Sequence, residues 1–322
     1  MASKKYSLLA GLLCILSSVG FAQTTTTGYD VADSSVVPSR RMPQHTEFMN
    51  GTQNYPAKPR NQWEFGVKIG TTTIGGDVDS KLTFPSFGAH IRKALGYVFS
   101  LRLEYMYAQA KGQNWQASGG YVAGGTQNPW QRLGYSGPVY YNYKTDIHDL
   151  ALEGIFSLNN IRFHKSKTGL NFYALLGVGQ SIYFSRVNAL NGSTRYTFAN
   201  ANGIQPTYEN RGQIKDALDA EMDDSYETDA ENHGLRRPKL FGMYRRTSGH
   251  IGAGVAFKLS NRMNLALENR LSVTKEDLLD GQRWAEQRDL TRDFDTYNYT
   301  SLGLNFNIGS KSVEPLWWIN PL

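Results

Sequence analysis

The stretch Tyr97–Ala110, YVFSLRLEYMYAQA, alternates with a period of two. Phe99, Leu101, Leu103, Tyr105 and Tyr107 occupy the odd positions, and Ser100, Arg102, Glu104, Met106 and Ala108 the even ones. Successive residues of a β-strand point to opposite sides, so this segment has one apolar face and one polar, charged face. A half-buried strand of a soluble sandwich has the same alternation. What narrows the choice is Arg102 and Glu104 on the face away from the apolar side chains, with aromatic rings gathered at one end of the apolar side. A transmembrane barrel has this arrangement, apolar toward lipid and polar toward its interior.

Seven further stretches repeat the pattern: Gln62–Thr72, Thr83–Leu95, Tyr143–Leu158, Leu170–Arg186, Gly249–Leu259, Met263–Lys275 and Thr296–Gly309. In the first, Trp63, Phe65, Val67 and Ile69 share one face, and Glu64, Gly66, Lys68 and Gly70 the other. The connections alternate between tight turns, such as Ala94–Gly96 and Ser260–Arg262, and long loops, such as Lys111–Asn142, Val187–Thr247 and Glu276–Asp295. An even number of strands with short turns at one end and longer loops at the other is the outer-membrane pattern. The expected fold is all-β: a transmembrane antiparallel up-and-down β-barrel of eight strands over 62–309, with long extracellular loops. A short helix is expected around Gly212–Met222, inside the longest loop.

The N-terminus supplies an address. Lys4 and Lys5 precede the apolar run Leu8–Val19, and Gly20-Phe21-Ala22 places small residues before Gln23. This reads as a secretory signal peptide over 1–22. Its removal takes two lysines and no acid, lowering the formal charge from +6 to +4, and also takes Cys14, the only cysteine of the chain. Export and a weakly basic balance give no case for nucleic acid as a partner. Mean hydropathy is −0.46, because half of each strand and all the loops are polar. Beyond Gln23 no run of 18 apolar residues occurs, which excludes a further helical span and leaves a barrel open. Residues 23–61, with a Thr run and Pro38, Pro43, Pro56 and Pro59, read as a flexible periplasmic leader. Residues 310–322 form a Trp-rich periplasmic tail. The expected location is the outer membrane of a Gram-negative bacterium, with both termini periplasmic.

Strand parity sends Glu64, Lys68, His90, Arg92, Arg102, Glu104, Asp149, Glu153, Lys258, Glu268 and Arg270 into the lumen. An eight-stranded barrel is only wide enough for its own side chains. Buried charges there must pair, since a lone one costs several kcal/mol. The expectation is therefore a charge network that closes the barrel. Asp146 and His148 share a strand face near the loop end, but no serine motif marks a nucleophile. No enzymatic activity is expected. Scattered histidines offer no close metal-ligand pair, and the acidic run Asp216–Glu231 lacks the EF-hand spacing. No metal or cofactor is expected. The Tyr- and Trp-rich loop Lys111–Asn142 is either a recognition surface or a cover over the barrel mouth. Trp317 and Trp318 either strap the turn-end rim or serve as a docking site for a partner.

With the alternation in hand, the chain resembles the OmpA-like outer-membrane barrels. The GFAQ processing site and the ending VEPLWWINPL (Val313–Leu322) look like those of the Bacteroidetes type. In that family a linker and a peptidoglycan-binding domain usually follow; this sequence ends at Leu322, so peptidoglycan binding is assigned to no residue. The resemblance implies a structural barrel contributing to envelope integrity or anchoring, with outer-membrane lipid as its surroundings. Two alternatives stand beside it. One is an accessory subunit of an outer-membrane machine for barrel assembly or type IX secretion, meeting other outer-membrane proteins through its long loops and tail. The other is a small channel.

Overall fold

The computed structural model describes residues 32–59, 63–160, 169–231, 238–286, 289–290, 294–308 and 316–318. The signal segment, Arg236 and Arg237, and most of the tail lie outside them. Eight long strands carry the fold: β1 (Trp63–Gly75), β2 (Thr83–Ala94), β3 (Phe99–Gln113), β4 (Asn142–Ser157), β5 (Leu170–Val187), β6 (Met243–Lys258), β7 (Met263–Thr274) and β8 (Thr296–Ile308). Each pairs antiparallel with its neighbour in sequence. β8 then returns to β1, from Trp63↔Ile308 to Gly75↔Thr296. The ring is closed, so neither edge is left unpaired, as the eight alternating stretches predict.

Alternation assigns the two faces. Val67, Leu103, Leu152 and Val178 point outward and are 44 to 63% exposed, whereas Glu64, Glu104, Glu153 and Arg270 point inward and are buried. Strand ends differ from the sequence reading mainly at the loop end. β6 begins at Met243, six residues before Gly249, and β1 continues to Gly75. The pairing there is unbroken (Tyr244↔Tyr183, Thr73↔Asn298), but the outward residues have become Arg245, Thr247, Thr71 and Thr73. A hydrophobicity pattern stops where the apolar band stops, whereas backbone hydrogen bonds continue past it.

Glycines make room for the filling. Glu153 lies opposite Gly177, and a Cβ there would come within 2.7 Å of the Glu153 Cγ. Gly254 lies against the Tyr173 ring, 2.4 Å from where its Cβ would sit. An eight-stranded lumen holds large charged side chains because a neighbouring strand supplies no side chain at that level.

Both ends of the barrel are covered. At the loop end, Tyr121, Trp130, Tyr140 and Tyr141 from the β3–β4 loop pack with Tyr196, Phe198, Ile214 and Leu218 from the β5–β6 loop, above Tyr183, Tyr297 and Tyr299 of the barrel wall. The Trp130 and Tyr135 rings meet edge-on at 5.1 Å, and the Tyr135 hydroxyl donates to the Ala189 carbonyl at 2.6 Å, tying the two loops together. The β5–β6 loop carries the helix Arg211–Glu221, close to the expected position. At the turn end, Leu316–Trp318 form one helical turn packed with Tyr97, Ile155, Tyr173 and Leu175. The described part of the leader includes a helix, Met42–Met49.

Candidate functional site

The site is the barrel interior. Lys68, Glu104, Arg102, Glu153, Glu268 and Arg270 stand on four strands whose inward positions meet at mid-height. The Lys68 ammonium lies 2.5 Å from Glu104 and 2.6 Å from Glu268. The Arg102 guanidinium reaches Glu153 at 2.6 Å, Glu268 at 2.7 Å and Glu104 at 3.2 Å. Arg270 reaches Glu153 at 3.0 Å, Asp149 at 3.1 Å and Glu104 at 3.3 Å. Glu104, Glu153 and Glu268 are each shared between at least two cations. In a water-poor interior such a lattice holds where an isolated ion would not.

Nearer the turn end, Glu64 faces Arg92 at 3.7 Å and His90 at 3.8 Å. The Arg92 guanidinium lies 3.7 Å from the centre of the Trp317 ring, which stacks the tail onto the network. Ten of the eleven residues assigned to the lumen by parity are buried and lie in one connected group. Lys258 stands apart. It has inward parity but ends β6 opposite Asn264, at the rim, where it is only half-buried. Strand parity gives the side of the wall but not the depth. Trp317 and Trp318 are 2% and 6% exposed and pack against the turn-end rim.

Two further participants come from strand positions that sequence reasoning passed over. His250 is buried 3.6 Å from Asp149, and its two ring nitrogens meet the hydroxyls of Ser248 and Ser272 at 3.0 and 2.9 Å. The Tyr173 hydroxyl donates to Glu268 at 2.8 Å. His250 has the even, inward parity of β6, so alternation alone could have found it.

Asp146 and His148 lie on the outer wall, above the apolar band. The Tyr105 hydroxyl meets His148 Nδ1 at 2.7 Å, and Gln109 Nε2 donates to Asp146 at 2.9 Å. They form part of a polar and aromatic collar. The acidic run 216–231 is spent on tethers. Asp219 holds Lys81 at 2.7 Å, Glu221 accepts from the Phe198 amide at 2.7 Å and Asp223 accepts from the Tyr196 hydroxyl at 2.9 Å.

A second buried polar cluster lies outside the strands, in the β7–β8 loop. Asp280 accepts from the backbone amides of Asp77 at 2.6 Å, Val78 at 3.0 Å and Gln282 at 2.9 Å. Asp295 Oδ2 accepts from Leu279 and Asp280 amides at 2.7 and 3.3 Å. Burial pushes both carboxyls well above the usual carboxylate range, and for Asp295 the nearby Asp280 charge adds to it. No periodic pattern marks these two residues in the sequence.

No protein-family model and no curated protein matches the chain. Among solved structures it is similar to a major outer membrane protein of Thermus thermophilus (11% identity, 76% of this chain and 98% of that one, TM-score 0.37). It is also similar to Neisserial surface protein A (8% identity, 77% and 97%, TM-score 0.34) and to the outer membrane protease OmpT of Escherichia coli (9%, 76% and 96%, TM-score 0.32). With these scores all below 0.5, the eight-stranded antiparallel barrel rests on the closed strand pairing itself.

Proposed function

We propose that this chain is an outer-membrane barrel with a structural role in the envelope, its lumen shut to solutes and both termini on the periplasmic side. The observation that carries the reading is the ion lattice of Lys68, Arg102 and Arg270 with Glu104, Glu153, Asp149 and Glu268, which fills the interior between two covered ends. An outward apolar band on a closed ring supports placement in lipid, because a barrel satisfies its backbone hydrogen bonds internally. The filled lumen argues against the channel alternative. In planar lipid bilayers the purified protein is expected to give no steady large conductance; a stable open level would overturn the closed-lumen reading.

A second reading, the accessory subunit, is favoured by apolar side chains beyond the band at the loop end: Leu82, Phe84 and Phe241 are 64 to 85% exposed. Gentle detergent extraction followed by mass spectrometry separates the two. A stoichiometric complex supports the subunit reading, and a lone monomer supports the structural one.

A further inference from the structure

The described part of the leader packs against the barrel at the turn end. Beyond the helix Met42–Met49, Tyr55, Pro56 and Lys58 form one wall of an open groove, and residues 96–99, the turn from β2 into β3, form the other. The groove has a volume of about 360 Å³. Rings and aliphatic groups supply most of its lining, and among the described residues Lys58 supplies its only charge. The Lys58 ammonium hangs over Gly96, where an added Cβ would lie 3.7 Å from it. Among the described residues Lys58 forms no ion pair, and the charge it feels is a second cation, Arg41, just before the helix. Burial and Arg41 together hold the Lys58 ammonium below the usual lysine range. Phe99 carries the groove onto the outer wall. Its ring meets that of Phe156 at 5.0 Å, and Leu101 and Leu103 continue the lipid-facing side of β3. On the neighbouring strand Lys93 stands between Trp63 and Leu101 in the register, its ammonium 4.5 Å from the centre of the Trp63 ring. Lys93 too forms no ion pair among the described residues.

An apolar channel that ends at cations without counter-ions fits an amphiphile with an anionic head. We propose that this groove binds one anionic glycerophospholipid from the leaflet at the turn end, its phosphate against Lys58 and Arg41 and an acyl chain along Phe99 and Phe156. The proposal rests on the reading of the outer wall as lipid-facing. A phosphate offers several acceptor oxygens with its charge, which suits an ammonium and a guanidinium together. A zwitterionic head fits poorly, because its amine would enter a site with Lys58, Arg41 and Lys93 nearby and, among the described lining residues, no carboxylate to receive it. Aromatic rings settle where hydrocarbon meets water, and lysine stems reach to that level. Tyr55, Trp63 and Lys93 supply both here. Tyr97 belongs to the groove and also to the cluster that holds Trp317 and Trp318, so an occupied groove ties the leader to the rim and backs the turn-end cover.

The test uses the full chain, delipidated in detergent, and native mass spectrometry with dioleoylphosphatidylglycerol or dioleoylphosphatidylcholine added. The wild type is expected to retain one phosphatidylglycerol at an about tenfold lower lipid concentration than phosphatidylcholine. Lys58→Gln lies outside the strands, so the barrel should still fold, as its compact migration on an unheated gel would show, and most of the preference should be lost. Lys275→Gln, the same change of charge at the exposed loop end, should keep it. Equal uptake of the two lipids by the wild type would overturn the proposal. A preference that survives in Lys58→Gln, or falls as far in Lys275→Gln, would overturn its assignment to this groove. Co-flotation with phosphatidylcholine vesicles tests the underlying reading separately. A chain that floats but shows no lipid preference refutes the site alone, whereas a chain that fails to float refutes the lipid-facing wall and the proposal with it.

Discussion

At the residue scale, the interior is a problem of neutralising buried charge. Glu64, Glu104, Asp149, Glu153 and Glu268 face Lys68, Arg92, Arg102 and Arg270, with His90 and His250 beside them. Arg102 touches three of those carboxylates, so Arg102→Met removes the cation and leaves the anions buried. The expected loss is about 3–5 kcal/mol, the usual cost of breaking a buried pair from one side, read from the midpoint of urea unfolding in detergent micelles. Gly254→Val tests the filling by size instead of charge. The new side chain drives into the Tyr173 ring and displaces its hydroxyl from Glu268. A loss of about 1–3 kcal/mol is expected for overpacking, and an unchanged midpoint would show that the ring has room to move. The lumen residues were legible because parity assigns a side. Lys258 shows where that ends, since depth along the barrel is not a property of parity.

At the element scale, each strand needs one face for lipid and one for the lattice, and the tail needs a slot. Leu103 is 45% exposed on the outer wall of β3, whereas Ser100 is buried and accepts a hydrogen bond from Arg92 at 3.2 Å. Leu103→Arg should cost about 2–4 kcal/mol if that position lies near the bilayer midplane. Ser100→Ala should cost only about 1 kcal/mol, for one hydrogen bond. Folding yield into lipid vesicles measures both, and equal yields would mean that the faces are assigned wrongly. Trp317→Ala removes a buried ring and its stacking on Arg92, for an expected loss of about 3–5 kcal/mol. Because the lattice lies deeper than Trp317, this variant should remain non-conducting in the bilayer assay. The strand extensions at the loop end were not legible. Thr73 and Thr247 are polar where the pattern expected apolar residues, and only the register with the neighbouring strand shows that they belong to it.

At the scale of the whole molecule, the ring, the lattice and the two covers act together. The closed-lumen reading predicts that neutralising Arg102 or truncating Trp317 alone leaves conductance near baseline. Removing the loop-end cover and a lattice cation together should be needed to open a path, and single-channel recording is the measurement. The sequence by itself determined the strand count, the sense of each wall and the chemical character of the interior, because alternation with a period of two is a local property that survives without any partner. Only the tertiary structure decided which charge meets which. Lys68 reaches Glu268 across 200 positions of sequence, through a lumen that exists only once β8 has closed onto β1. Only the tertiary structure also shows Trp130 and Tyr141 of the aromatic loop, and Trp317 and Trp318, packed and not facing solvent, since either arrangement suits a segment rich in Tyr and Trp. It brought Asp280 and Asp295 together over Gly76 as well. That meeting depends on two irregular loops and leaves no periodic trace, because loop conformation is fixed by the elements that anchor it and not by its own pattern.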